Sequence, residues 1–193
     1  MSYLEKEVKE EDVLVKAIDE EFGHKILFLG LAQTGKSSII RVVFEGMNPQ
    51  ETNTIQPTIR FTRKVLDFSG LTLNVYDVGG QISYLEEAYV ALRESIFSQV
   101  KVLFFIIDSA NFGEYELAKN YFLRAMKNIE DHSKTAKVII LAHKIDLIPE
   151  EKREETVQTL KEFFYIDKLK DIILKGSSIF DESIFEVITF GME

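Results

Sequence analysis

The chain has 193 residues, 46% hydrophobic and 28% charged, with a formal net charge of −9, enough for one well-buried core and short for two. The acidic balance lacks the basic stripe that a phosphate backbone requires, which argues against nucleic acid as a partner. Zero cysteines exclude disulfides, thiolate catalysis and prenyl or palmitoyl anchors, and no apolar run approaches the roughly 20 residues of a membrane span.

Residues 1–22 are rich in Glu and Asp, with Leu4, Val8, Val15, Ile18 and Phe22 at loose helical spacing, and read as an acidic helical extension ahead of a domain over 23–193. The opening Met-Ser, without a secretory apolar region, predicts a cytoplasmic protein with no direct membrane anchor, any membrane association coming through a partner. Lys25–Leu29 reads as a buried strand, followed by a helix near 36–46 and a polar stretch over 47–57 without apolar period, expected as a loop. Arg60–Phe68 and Leu71–Tyr76, divided by Ser69-Gly70, predict a hairpin. A Gly-Gly turn at 79–80 opens a helical stretch ending near Phe97. Lys101–Asp108 and Lys137–His143 are the continuous apolar runs of central parallel strands, with a helix over Tyr115–Ile129 between them. A charged helix over 149–164, a strand at Ile172–Lys175 and a helix from Asp181 complete an alternation that implies an α/β doubly wound sheet.

Chemistry concentrates at the ends of the predicted strands. Gly30-Leu31-Ala32-Gln33-Thr34-Gly35-Lys36-Ser37, followed by Ser38, spells G-x-x-x-x-G-K-S between a strand and a helix. There, backbone N–H groups and a helix N-terminus cradle phosphates, Lys36 reaches the β/γ oxygens, and the Ser37 hydroxyl ligates Mg²⁺. Asp77 ends a hairpin strand, where a hard carboxylate suits Mg²⁺ held through water. Gly80 has no side chain to obstruct an N–H approaching a γ-phosphate, and Gln81 is placed to orient an attacking water. Thr58 directly precedes the hairpin and is the candidate for a hydroxyl on Mg²⁺, in competition with Thr52 and Thr54.

Pro57-Thr58-Ile59, Asp77-Val78-Gly79-Gly80-Gln81, His143-Lys144-Ile145-Asp146 and Ser177-Ser178-Ile179, in that order, resemble the motif set of the Ras-like small GTPases over about residues 24–190. The details favour the Rag/Gtr branch. His143 stands where most of the superfamily has Asn, 21 residues separate Ser37 from Thr58, and Ser178 to Glu186 reads Ser-Ile-Phe-Asp-Glu-Ser-Ile-Phe-Glu. Arf-like proteins, the second choice, share Asp-Val-Gly-Gly-Gln but are expected to begin Met-Gly.

The resemblance implies a P-loop NTPase fold, a mostly parallel six-stranded sheet with one antiparallel edge strand and helices on both faces. It also implies GTP/GDP and Mg²⁺ as ligands, with Ser37, Thr58 and Asp77 at the metal. Gln81, Lys36 and Thr58 would serve hydrolysis. Gln33, Thr34, Gly35, Lys36, Ser37, Ser38 and Gly80 would line the phosphates, while His143, Lys144, Asp146, Ser178 and Ile179 meet the base, Asp146 accepting from guanine and the Ile179 N–H reaching its O6. Implied partners are activating and exchange factors, effectors, roadblock or longin-domain proteins, and a second small GTPase in a dimer. Two features stand apart. The roadblock-type domain that follows the G domain in eukaryotic Rag proteins has no counterpart in these residues, and Ala32-Gln33 place side chains where an arginine finger would enter, predicting slow intrinsic hydrolysis. Arg60, Arg63 and Arg93 read as surface residues. A nucleotide-held interaction module with negligible turnover remains the alternative from another class.

Overall fold

The computed structural model describes residues 23–169 and 171–193; the expected acidic helix over 1–22 lies outside them. Six strands form one sheet in the order β2-β3-β1-β4-β5-β6. They are β1 (His24–Leu29), β2 (Phe61–Phe68), β3 (Leu71–Val78), β4 (Val100–Asp108), β5 (Lys137–His143) and β6 (Ile172–Ser177). Every neighbouring pair is parallel except the β2–β3 hairpin, which puts the single antiparallel strand at one edge.

The apolar runs become the central strands because both faces of the sheet are covered. On one face, α1 (Lys36–Glu45) and α6 (Ser183–Met192) enclose Ile26, Phe28, Phe104, Ile139 and Leu141, with Phe28 and Phe104 stacked at 5.1 Å between ring centres. On the other lie α2 (Ile82–Glu86), α3 (Arg93–Phe97), α4 (Tyr115–His132) and α5 (Glu150–Phe163), contributing Leu85, Phe97, Phe122 and Leu160 to a second core. Burying an aliphatic or aromatic side chain of this kind is worth about 1.5–3 kcal/mol, so these two layers hold the strand ends in fixed register.

Register decides where chemistry can occur. Phe28 pairs with Asp77, Asp108 with His143, and His143 with Ser177. The polar residues that end four different strands therefore share the carboxyl edge of the sheet, beside the phosphate loop that follows β1. That edge is where ligands bind in open α/β sheets.

Two segments differ in detail from their sequence reading. The polar stretch 47–57 contains a 3-10 turn, Pro49–Thr54, capped by the Asn48 side chain accepting from Gln50 N–H. The helix expected to end near Phe97 is divided, with a π-helical turn, Glu87–Ala91, between α2 and α3. The Leu92 amide donates to the Glu87 carbonyl five residues earlier, and π turns of this kind often occur at functional positions.

Candidate nucleotide and metal site

The loop between β1 and α1 is shaped by glycines at two tight approaches. A Cβ on Gly30 would lie 2.3 Å from the Ile106 carbonyl oxygen, and one on Gly35 would lie 2.7 Å from the His143 ring, with φ values of 145° and 100°. Thr34 is buried and its hydroxyl donates to the Leu31 carbonyl at 3.0 Å. Lys36 folds back along the loop, its Nζ donating to the carbonyls of Gly30 at 2.8 Å and Leu31 at 2.7 Å. Burial pulls its ammonium down to about 8, while the Asp77 charge pulls it upward.

Directly beyond Lys36 three oxygens converge from three elements. Ser37 Oγ at the start of α1 donates to Asp77 Oδ2 at 2.5 Å, Thr58 Oγ1 donates to the same oxygen at 2.8 Å, and the two hydroxyls lie 2.9 Å apart. The second carboxylate oxygen, Asp77 Oδ1, is buried with no hydrogen-bond partner. An acceptor left in that state costs about 1–3 kcal/mol unless something else satisfies it. The arrangement suits Mg²⁺. It binds oxygen at roughly 2.0–2.1 Å in octahedral geometry, where adjacent ligands stand about 2.9 Å apart, and it typically takes only one or two carboxylates, completing its shell with water and phosphate. Among the described residues there is no group of three or more His, Cys, Asp or Glu able to form a cage. Thr52 and Thr54, the competitors of Thr58, use their hydroxyls inside the 3-10 turn, on the carbonyls of Pro49 and Glu51.

A cleft of about 320 Å³ opens above these groups, lined in part by Gln33, Gly35, Lys36, Ser37, Ser38, Thr58, Gly80, Gln81 and Lys144. Gly80 meets the phosphate loop so closely that a Cβ there would be 2.3 Å from the Leu31 carbonyl. Gln81 is exposed at the start of α2 and its side chain makes no capping hydrogen bond.

The predicted base-reading residues gather at the ends of β5 and β6. Lys144 adopts a left-handed backbone, φ 60°, and its Nζ donates to Asp108 Oδ2 at 2.7 Å. Asp146 sits half-buried in the 3-10 turn Ile145–Leu147. After β6, Ser178 N–H donates to Ser183 Oγ at 3.0 Å, and Ser178 Oγ accepts from Phe180 N–H. The Ile179 side chain packs into the core against α1 and α6.

Three participants escaped the sequence reading. Asp108 anchors Lys144, and Ser177 Oγ lies 3.0 Å from His143 Nδ1. Arg60, read as a surface residue, is only partly exposed and forks onto both oxygens of Glu87 in the π turn, while its carbonyl accepts from Gly79 N–H at 2.7 Å. It thereby joins the segment before β2 to the one after β3. The prior signal for Asp108 was its place at the end of an apolar run, while Ser177 stood in the Ser177-Ser178-Ile179 motif without a role of its own.

A profile of the Gtr1/RagA G protein conserved region matches residues 25–189. The chain belongs to the Gtr1/RagA family. Among its relatives, the Saccharomyces cerevisiae GTP-binding protein GTR1 is 32% identical over 173 residues, covering 84% of this chain and 54% of GTR1. The Ras-related GTP-binding protein A of Dictyostelium discoideum is 34% identical over 131 residues, 67% of this chain and 43% of that protein. The chain thus spans about half the length of the curated relatives it matches. The Arl6 BBS3 small GTPase from Trypanosoma brucei, solved with the nucleotide analogue GppNp, shares the fold with a TM-score of 0.69 at 17% identity, covering 88% of this chain and 95% of that one.

In this Gtr1/RagA chain, His143 is almost fully buried, and desolvation pulls its imidazole down to about 4, against the opposing charge of Asp146. The unfolded chain therefore binds a proton near pH 6.5 that the folded protein refuses until about pH 4. Stability contributed by the neutral ring is complete above pH 6.5 and declines as pH falls toward 4, by roughly 3 kcal/mol at the lower end. Thermal unfolding followed from pH 7 to 4 should show this decline, and His143→Asn should flatten that part of the profile.

Proposed function

We propose that this chain binds GTP and GDP with Mg²⁺, hydrolyses GTP slowly, and uses the difference between the two states to select protein partners. The observation that carries the reading is the meeting of Ser37, Thr58 and Asp77 oxygens within 2.5–2.9 Å, beside Lys36. Residues 23–193 form the G domain in this reading, with 1–22 as an extension.

Backbone N–H groups of the phosphate loop and the N-terminus of α1 hold the phosphates, and Lys36 exchanges its two carbonyl partners for β/γ oxygens. Ser37, Thr58 and Asp77 would hold Mg²⁺, which would supply positive charge against the transferring phosphate. Gly80 brings a backbone N–H to the γ-phosphate. Gln81 orients the attacking water in line with it, and its exposed position leaves it free to swing over the cleft. Asp146 and the Ile179 amide read guanine, while the Lys144 stem, held by Asp108, covers the ring plane.

Loss of the γ-phosphate would release Thr58, and Arg60 would pass that release to Glu87 and the π turn. Ile59 (70% exposed), Ile82 (46%) and Val90 (56%) are exposed apolar side chains in the segments that follow Thr58 and Gly80, available to protein effectors, activating or exchange factors, roadblock or longin-domain proteins, or a second small GTPase. Among the described residues no helix is long and apolar enough to cross a membrane.

A single-turnover time course of labelled GTP with excess protein and Mg²⁺, with and without excess ATP, tests the reading. Phosphate release that ATP leaves unchanged, and that Gln81→Leu slows by at least about tenfold, is expected. Retained but uncleaved GTP, indifferent to Gln81→Leu, would make the chain a nucleotide-held interaction module instead.

A further inference from the structure

Gln81 stands at one end of a very short helix whose other end is gripped from α4. Its carbonyl accepts from the Tyr84 and Leu85 amides, both at 3.0 Å, so it caps α2. At the far end of α2 the Glu86 carboxylate receives three donors from α4. Arg124 forks onto it, Nη1 at 2.5 Å from Oε1 and Nη2 at 2.9 Å from Oε2, and the Tyr121 hydroxyl donates to Oε1 at 2.6 Å. The guanidinium also lies over the rings of Tyr89 and Tyr121, 5.3 and 5.0 Å from their centres. Bonds from Arg124 and then Tyr121 hold the Glu86 carboxyl down to about 2, so it stays charged through the neutral range. The holder is fixed, because Phe122, Ala125 and Ile129 bury the other face of α4 in the core. The helix it holds is not: of the α2 side chains only Leu85 is buried. One apolar contact is non-directional and leaves a helix of this length free to roll, whereas a forked guanidinium–carboxylate pair has a set direction.

We propose that Arg124 and Tyr121 are positioning residues for GTP cleavage: by gripping Glu86 they set the roll of α2, and with it the direction in which Gln81 presents its carboxamide to the cleft. Neither residue lines the cleft, so both act through the helix and not on the nucleotide. The next residue, Glu87, is held by Arg60. The junction of α2 with the π turn is therefore gripped from two sides, from the segment beside Thr58 and from α4. The α4 grip is independent of nucleotide and serves as the pivot. The Arg60 grip, two residues from Thr58, supplies the pull. This inference rests on the hydrolysis reading above.

The test measures single-turnover GTP cleavage and release of a fluorescent GDP analogue in the full chain, with amide exchange at Tyr84 and Leu85 followed without nucleotide. Arg124→Ala should slow cleavage by about three- to fivefold, the range for a forked but partly exposed pair, and leave GDP release within about twofold. Exchange at the two amides should quicken by a similar factor. Arg124→Ala also uncovers two rings, so Glu86→Gln, which keeps the shape and removes the charge, must slow cleavage too. Arg124→Lys keeps the charge and loses the fork, and should not restore the wild-type rate. In a Gln81→Leu background Arg124→Ala should change cleavage by less than about 1.5-fold, since the residue it positions is gone. Unchanged cleavage in Arg124→Ala, an equal slowing in both backgrounds, or full activity of Arg124→Lys would overturn the inference. A wild type that retains GTP uncleaved would overturn the hydrolysis reading and the role in cleavage with it, while the exchange rates would still decide whether α4 holds α2.

Discussion

Asp77→Asn is expected to weaken Mg²⁺-dependent GTP binding by about 100-fold while leaving the nucleotide-free protein within about 1 kcal/mol of its parent in stability. The two halves of this result have one cause. Asp77 Oδ2 receives both hydroxyls, Ser37 and Thr58, and an amide oxygen can accept the same two bonds. Oδ1 is buried without a partner, so in the empty fold its charge acts only at a distance, on the Lys36 ammonium, and finds a direct partner when a cation arrives. Removing charge at that position costs metal affinity without removing packing, a division typical of functional sites that hold unsatisfied groups. Titration of Mg²⁺ at fixed GTP, set beside urea unfolding of the nucleotide-free protein, measures both halves. A variant that lost stability and kept its Mg²⁺ requirement would make Asp77 a structural residue.

The site was legible in the sequence where residues act within their own segment. Gly30 to Ser37 needs only a preceding strand and a following helix, and both lie next to it in the chain. The strands Lys101–Asp108 and Lys137–His143 announced themselves because burial on both faces leaves no polar alternation to confuse with a surface strand. The choice of Thr58 over Thr52 and Thr54 rests on its position before the hairpin and on the likeness of Pro57-Thr58-Ile59, at its distance from Asp77, to the Arf and Rag families. The structure adds a reason that sequence does not carry: the other two hydroxyls are occupied by carbonyls three residues back, in a 3-10 turn that the polar composition concealed.

What sequence could not show are pairings across long separations. Arg60 and Glu87 are 27 residues apart, Lys144 and Asp108 are 36 apart, and His143 and Ser177 are 34 apart. Each depends on strand register, and a lone Arg beside a switch looks like any solvated side chain until the sheet places its partner. The π turn is similarly hidden. Glu87–Ala91 has the apolar spacing of an ordinary helix, and only the Leu92-to-Glu87 hydrogen bond reveals the extra residue.

Lys36→Ala should reduce GTP and GDP affinity by about 100- to 1,000-fold, the loss of two hydrogen bonds between an ammonium and phosphate oxygens. A further consequence follows from burial. Without nucleotide the Lys36 ammonium sits among carbonyls with its pKa near 8, desolvation outweighing the Asp77 charge. Bound phosphates would favour the charged form and raise that value. Below about pH 8 the lysine is charged both before and after binding, so affinity there does not depend on its titration. Above it, binding must take up a proton, and affinity should fall by up to about tenfold for each pH unit until the value in the complex is reached. Lys36→Arg separates charge from position, because a guanidinium stays protonated throughout this range. It should bind more weakly than the wild type at pH 7 but lose nothing further by pH 9.5. A wild-type affinity that stays level to pH 9.5 would mean that the ammonium is already held charged in the empty loop, and the buried lysine would then impose no proton cost on nucleotide capture.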